Sequence, residues 1–180
     1  MTATEYELKW LLNPEDHEKL MEFLNPLPSL CELQTNYYYD TRTEKLRKQK
    51  ITMRIREKNG KIQGTVKRHL TQDGCSLEER FQVESIPHRM MFEGEPVYLI
   101  GKLKTQRTTF FLSDSVMIML DRNEYLDCVD YELELECPKD FMERGEGILF
   151  LLQRMMQTEQ WESSEIKSER FFKRLEFFKK

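Results

Sequence analysis

Three short stretches of this chain alternate charged with apolar residues, so that charges recur at every second position. The stretches are EYELKW at 5–10, MRIRE at 53–57 and YELELE at 131–136. Successive side chains of a β-strand point to opposite faces, so each stretch would place its charges on one face and its apolar residues on the other. The charged positions are Glu5, Glu7 and Lys9; Arg54 and Arg56; and Glu132, Glu134 and Glu136. The pattern predicts a β-rich fold whose strands carry one strongly charged face.

Alternation and turn signals together predict eight strands. We expect them at 5–10, 34–41, twice within 51–70, and at 76–84, 105–112, 115–122 and 130–137. The two strands within 51–70 meet at Asn59-Gly60, a dipeptide preferred in tight hairpin turns. The turn signal Asp73-Gly74 precedes the next strand. Most of the strands are therefore expected to be linked as antiparallel hairpins.

Four helices are predicted around these strands. The first covers about 14–24, where Asn13 is a cap candidate and Pro14 takes the first helical position. The segment GEPVYLIGKL at 94–103 is expected to form a short helix. Two more helices are expected after residue 143, and the second begins near Ser164, which resembles a capping-box residue. No internal repeat, low-complexity tract or linker interrupts the chain, which favours a single domain over residues 1–180.

The charged faces allow two interpretations. A sheet with one buried and one solvated face explains the alternation of any single strand. Like-charged neighbours repel, however, and a free surface would mix in opposite charges, so repetition over five or six strands favours an inward-pointing charged face. The other residues of these faces are Lys67, Glu78, Arg80, Arg107 and Asp121. We therefore expect an α+β fold: an eight-stranded antiparallel β-barrel, or tunnel, with a charged lumen and flanking helices.

Composition excludes several classes of protein. The net charge is −4, with 28 basic and 32 acidic residues, which argues against a general affinity for nucleic acid. The chain has no apolar stretch of membrane-spanning length and no signal-peptide pattern, so we expect a cytoplasmic protein without a membrane partner. Its four cysteines and three histidines show no metal-binding spacing. A zinc site is therefore not expected.

The charged residues indicate what a lumen of this kind would hold. Carboxylates without histidine or thiol partners are hard oxygen ligands, suited to Mg²⁺ or Mn²⁺. Arginine and lysine side chains are suited to phosphate oxygens, and arginine can bind them bidentately. Both groups in one lumen predict a ligand that combines a divalent cation with a polyphosphate.

An ordered set of motifs resembles the CYTH superfamily, also called triphosphate tunnel metalloenzymes. After an ExExK match at 5–9, the set continues with NYYYDT, MRIRE, TVKR, LEER, TQRTTF, LDRNEY, DYELELE and a lysine before RFF. By this resemblance, the metal-binding carboxylates are Glu5, Glu7, Asp121, Glu132 and Glu134. The phosphate-binding cations are Lys9, Arg54, Arg56, Lys67, Arg107 and Lys167. Glu78, Arg80 and Glu136 are further tunnel-lining candidates, although a one-residue slip would turn Glu79 inward instead of Glu78.

The resemblance implies a metal-dependent triphosphatase. The expected activity is hydrolysis of short polyphosphates with Mg²⁺ or Mn²⁺, and inorganic triphosphate is the first substrate to consider. The family also includes adenylate cyclases and thiamine triphosphatases, and a non-catalytic polyphosphate-binding or nucleotide-binding module is an alternative of another class. The expected partner is a triphosphate-containing small molecule, bound by a monomer or a homodimer.

Overall fold

The structure is a computed structural model that describes residues 5–69, 76–157, 161–163 and 165–178. Ten strands, four α-helices and one 3-10 turn follow one another along these residues. The strands are β1 Glu5–Leu12, β2 Ser29–Asp40, β3 Ile51–Lys58, β4 Lys61–His69, β5 Ser76–Phe81, β6 Arg89–Phe92, β7 Glu95–Phe111, β8 Met117–Tyr125, β9 Cys128–Pro138 and β10 Glu162–Ser163. The helices are α1 Pro14–Leu24, α2 Lys45–Lys48, α3 Met142–Met155, preceded by the 3-10 turn Lys139–Phe141, and α4 Lys167–Phe178.

The chain forms two compact units, which are described separately. Unit 1 takes its described residues from 1–32 and 105–166, and unit 2 from 33–104 and 167–180. In unit 1 the strand order is β10-β1-β9-β8-β7. In unit 2 the order is β7-β2-β3-β4-β5, and β6 also pairs with β7. The long strands β2 and β7 have residues in both units. The single domain over 1–180 stays a prediction.

The core of unit 1 lies between the apolar face of its sheet and the helices α1 and α3. Leu133 and Leu135 of β9 are fully buried with Leu120 of β8, against Leu20 of α1 and Leu149 of α3. Asn13 caps α1, because its side-chain oxygen accepts a hydrogen bond from the backbone N–H of the third residue of the helix at 2.7 Å. In this unit the apolar strand face is therefore covered by helices, as the charged-face argument requires.

The core of unit 2 gathers the apolar side of the predicted hairpin. Met53 and Ile55 of β3 and Val66 of β4 are buried with Tyr39 of β2 and Leu46 of α2. The hairpin turns at Asn59-Gly60, where both residues have positive φ angles of 52° and 72°. Such angles are those of the tight turn for which this dipeptide is preferred. The hairpin prediction is confirmed.

The predicted helix at 94–103 is wrong, because these residues form the first part of β7. A two-residue turn at Glu93-Gly94, with φ angles of 49° and 79°, folds β7 back on β6. Phe92 pairs with Glu95 and Met90 pairs with Val97. This antiparallel pairing provides hydrogen-bond partners for the backbone N–H and C=O groups of both strands. The apolar run VYLI is thus a strand, and β6 was not predicted at all. In the described part of the chain there are ten strands where eight were predicted, because β6 and the two-residue β10 are added.

Other element boundaries differ from the predictions in smaller ways. The strand predicted at 115–122 lies further along the chain, because β8 covers Met117–Tyr125. Helix α3 buries Leu149 and Leu152, whereas Leu151 and Met155 are 61% and 50% exposed. The short helix α2 was not predicted. The expectations for Asp73-Gly74 and Ser164 fall outside the described residues. None of the described helices combines the length and the apolar character that crossing a membrane requires.

Candidate active site

Three carboxylates meet on the polar face of the sheet of unit 1. Asp121 of β8 pairs with Glu132 of β9, and Glu134 follows two residues later on the same face. One carboxylate oxygen from each residue lies within 4.8 Å of the others. All three residues are buried, with at most 2% of their surface exposed. So close a buried acidic cluster needs positive charge beside it.

Arg107 supplies part of this positive charge. Its Nε donates to Asp121 Oδ1 at 2.8 Å, and its Nη2 donates to Asp121 Oδ2 at 2.7 Å and to Glu134 Oε2 at 2.5 Å. Burial works against the charge of the guanidinium, but the hydrogen bonds and charges of both carboxylates outweigh burial and raise the pKa of Arg107. The bidentate contact with Asp121 is the geometry that makes arginine–carboxylate pairs strong.

The first strand adds a second cation and further acids. Lys9 lies opposite Glu134 in the β1–β9 ladder, with its Nζ 3.6 Å from Glu134 Oε1 and 3.0 Å from Glu7 Oε1. Glu7 lies opposite Glu136, so both belong to this face. Glu5 lies opposite Pro138 in the ladder, and its side chain is outside the described part of the structure.

A polar network beside the acidic cluster was not predicted. The hydroxyl of Thr105 donates to Asn123 at 2.7 Å, and Asn123 donates to Asp130 at 2.9 Å. The other oxygen of Asp130 accepts from the hydroxyl of Tyr125 at 2.7 Å, and burial with this hydrogen bond raises the pKa of Tyr125. Asn123 and Tyr125 follow Asp121 at two-residue steps, and Asp130 precedes Glu132 by two residues. The two-residue period of a strand could therefore have predicted that they share this face. Thr105 and Asn123 are fully buried, and a buried network whose hydrogen bonds are satisfied is a rigid part of the sheet face.

Unit 2 carries its own charged face on β2, β3 and β4. Arg54 pairs with Tyr38 on one side, and Arg56 pairs with Asn36, whose side-chain oxygen accepts from Arg56 Nε at 2.9 Å. Lys67 shares this face, two residues along β4 from Thr65, which is the partner of Arg54. The alternation predicts that the three cations share one face, and the strand registers place them on one face.

Helix α4 covers part of this face. Its Phe171 is fully buried, with its ring centroid 4.9 Å from that of Tyr38. Burial raises the pKa of Tyr38, while the nearby charges of Arg54, Lys167, Arg56 and Arg170 act to lower it. Lys167 and Arg170 therefore join the strand arginines around one buried phenol. Arg170 was not predicted, although its i, i+3 spacing from Lys167 is a signal that places both on one side of a helix.

The structure separates the remaining candidates from these groups. Lys67 lies opposite Glu78, so Glu78 and Arg80 point to the Lys67 face and Glu79 to the other face. Arg80 pairs with Glu78 at 3.0 Å, but its side chain is 68% exposed. An ion pair exposed to this degree contributes little to stability. Arg80 is therefore much less enclosed than Arg107, whose side chain is 21% exposed.

The acidic cluster of unit 1 is chemically suited to Mg²⁺ or Mn²⁺. Asp121, Glu132 and Glu134 offer only carboxylate oxygens, which are the ligands that these hard cations prefer. Lys9 and Arg107 stand next to the same carboxylates, so an anion that accompanies the cation would also meet positive charge. The arrangement can therefore serve a cation together with a phosphate.

Comparisons with known proteins identify a family, a related sequence and related folds. The family model of the CYTH domain matches residues 3–149. YjbK of Bacillus subtilis, whose name describes a candidate triphosphatase, is 27% identical over 83% of this chain and 85% of its own length. The solved structure of a candidate adenylate cyclase from Bacillus halodurans is 23% identical, with a TM-score of 0.72 over 93% of this chain and 97% of that chain.

A second solved structure is that of HpAC1 from Hippeastrum, described as a candidate adenylyl cyclase with a dominant triphosphatase activity. It is 21% identical, with a TM-score of 0.75 over 94% of this chain and 96% of that chain. At these identities the two structures show a common fold, that of an antiparallel sheet with flanking helices. The family match covers well over half of the sequence, and this chain therefore belongs to the CYTH domain family.

Proposed function

We propose that this protein is a divalent-cation-dependent phosphohydrolase that cleaves short polyphosphates, with inorganic triphosphate as its substrate. The observation that carries the proposal is the buried, oxygen-only cluster of Asp121, Glu132 and Glu134 beside Lys9 and Arg107. A protein that only bound polyphosphate would need the cations but would have less use for three buried carboxylates.

The predicted site residues have two roles in the proposed reaction. Asp121, Glu132 and Glu134 would hold Mg²⁺ or Mn²⁺, with Glu7 and Glu5 as further ligands from β1. When bound, the cation would offset phosphate charge and favour attack by water. Arg54 and Arg56 would bind phosphate oxygens.

Lys67 and Lys167 would add point charges to the same group, because lysine lacks the fork of arginine. Together these cations would orient the triphosphate and stabilise the charge that grows on the leaving pyrophosphate. Water would add to the terminal phosphorus as the bond to the bridging oxygen breaks. The products would be phosphate and pyrophosphate.

Two of the relatives support hydrolysis over cyclisation, although the Bacillus halodurans structure is described as a candidate adenylate cyclase. YjbK is named for triphosphatase chemistry, and the description of HpAC1 gives triphosphatase activity as dominant. An adenylate cyclase would instead release pyrophosphate and cyclic AMP from ATP. Thiamine triphosphate remains a substrate to be tested, because it offers the same terminal phosphoanhydride.

The proposal is tested by measuring phosphate release from inorganic triphosphate, ATP and thiamine triphosphate, with Mg²⁺, with Mn²⁺ and with a chelator. We expect release from inorganic triphosphate that requires a cation. Glu134→Gln should lower the rate by about 10²–10³, the usual loss when a group that acts on the transition state is removed. Glu124→Gln, on the same strand pair but exposed and paired with Arg122 at 3.3 Å, is the control. Tight triphosphate binding without turnover under every condition would overturn the proposal.

A further inference from the structure

Arg107 occupies the same carboxylate oxygens that a divalent cation would use. Both side-chain oxygens of Asp121 and one of Glu134 accept hydrogen bonds from its guanidinium, at 2.5–2.8 Å. Its Nη1 also approaches Met119 Sδ at 3.0 Å. The side chain is 21% exposed, whereas Asp121 and Glu134 are almost completely buried. The guanidinium thus bridges two buried acids, while part of the Arg107 side chain is accessible to solvent.

A cation that binds these oxygens would compete with the guanidinium for them. Mg²⁺ approaches carboxylate oxygens to about 2.0–2.1 Å and demands a nearly octahedral ligand set. Each oxygen of Asp121 is already directed at an N–H group of Arg107. Two positive groups on one carboxylate also repel each other, and this repulsion is weakly screened in a buried site.

We propose that Arg107 is the internal counter-ion of the cation site. Its guanidinium neutralises Asp121 and Glu134 when no cation is bound, and it leaves at least Asp121 when a divalent cation arrives. This inference rests on the proposed function, since it assumes that the acidic cluster takes a cation. Arg107 is then a positioning residue that holds the acids in place and sets the cation affinity.

The proposal gives Arg107 a second partner after release. The guanidinium is on a long side chain at the edge of the buried cluster, and the fork that held Asp121 matches a phosphate equally well. A cation would therefore prepare the site for phosphate by freeing an arginine. Lys9 is not displaced in this scheme, because its Nζ is 3.6 Å from the other oxygen of Glu134.

The first experiment measures Mn²⁺ affinity without substrate, from the electron paramagnetic resonance signal of free Mn²⁺. Arg107→Met removes the competitor, and we expect it to bind Mn²⁺ at least tenfold more tightly than the wild type. Without cation it should melt at a lower temperature, and Mn²⁺ should raise its melting temperature more than that of the wild type. Arg122→Met is the matched control, because Arg122 pairs with the exposed Glu124, and its Mn²⁺ affinity should stay within twofold. Equal or weaker binding by Arg107→Met would overturn the inference.

The second experiment observes Arg107 in the wild-type protein and does not depend on a variant that binds cation. The Nε–Hε nuclear magnetic resonance signal of Arg107 is assigned as the one absent in Arg107→Lys. We expect this signal to shift or broaden along the same Mg²⁺ titration that saturates the site. A signal that stays unchanged at saturation would show that the guanidinium does not move, and the inference would fail.

The two proposals fail in different ways. If neither the wild type nor Arg107→Met binds Mn²⁺ or Mg²⁺, the cation dependence of the proposed function is wrong, and the inference fails with it. If the wild type binds the cation but Arg107 neither weakens that binding nor changes its signal, only the inference is wrong.

Discussion

Phe171 is the side chain that anchors α4 to the sheet of unit 2. It is fully buried, and its ring centroid lies 4.9 Å from that of Tyr38 and 5.6 Å from that of Phe172. Beneath it lies Gly101 of β7, where an added Cβ atom would come within 2.6 Å of the Phe171 ring. The helix therefore rests on the strand backbone at this point, without a side chain between them.

Phe171→Ala should be strongly destabilising. Truncating a buried phenylalanine to alanine costs about 3–5 kcal/mol, and the cost grows with the volume of the cavity that is left. Gly101 has no side chain that could move into the space, so we expect the upper half of this range. In proteins of this size, 1 kcal/mol corresponds to roughly 2–4 °C, which gives a fall in melting temperature of roughly 8–20 °C.

Phe177→Ala is the matched control, because it makes the same change in the same helix. Its side chain is 69% exposed, and exposed substitutions usually change stability by no more than about 0.5 kcal/mol. Thermal unfolding followed by circular dichroism compares the two variants. Lys167 lies one helical turn before Phe171, so Phe171→Ala should also weaken the stabilisation by added triphosphate. If Phe171→Ala melts within about 2 °C of Phe177→Ala, the described packing of α4 is refuted.

Three further perturbations test the site, the pH response and the turns. Glu7→Gln should lower cation-dependent phosphate release and leave the fold intact, since Glu7 is partly exposed. Glu15→Gln is the control, because it also removes a carboxylate paired with a lysine, and it should not change the rate. Wild-type activity in Glu7→Gln would contradict the assignment. Burial, partly opposed by the nearby charges of Asp121 and Glu18, lowers the pKa of His17. Protonation therefore favours the unfolded chain, and the stability present above about pH 6.5 should decline as the pH falls below it. Urea unfolding at pH 5.5 and 7.5 measures this decline, which His17→Gln should reduce; an unchanged difference would exclude His17. Gly60→Ala, at a φ of 72°, should lower the free energy of unfolding by about 1–2 kcal/mol. Gly147→Ala, in an open helical position, should raise it by roughly 0.5–1 kcal/mol. Equal melting temperatures of the two variants would contradict the turn geometry.

Local sequence signals predicted local structure well. Asn59-Gly60 specified a tight hairpin, and Asn13 followed by Pro14 specified the start of α1. These signals succeed because a turn or a helix cap depends on the backbone preferences of a few adjacent residues. The segment at 94–103 shows the limit of such signals, because a short apolar run fits a helix or a buried strand equally well. Its strand state depends on pairing with β6 across the turn at Glu93-Gly94.

In the candidate site, too, the sequence predicts which residues share a face but not which distant side chains meet. Alternation in the sequence was sufficient to place Arg54 and Arg56 on one face and Glu132 and Glu134 on another. The bridge from Arg107 to Asp121 and Glu134 joins side chains that are 14 and 27 positions apart in the chain. No local pattern encodes such a contact.

The sequence by itself determined which side of each strand carries charge, because the two-residue period of a strand follows from backbone geometry alone. It also contained the ordered motifs by which the chain resembles its family. Only the tertiary structure decided which charges meet. Strand register sets Asp121 opposite Glu132, the packing of Phe171 brings Lys167 and Arg170 to the face of Arg54, and both depend on contacts between segments that are distant in the chain. The physical reason is that ion pairing and packing depend on distances in space, whereas alternation depends only on neighbouring residues.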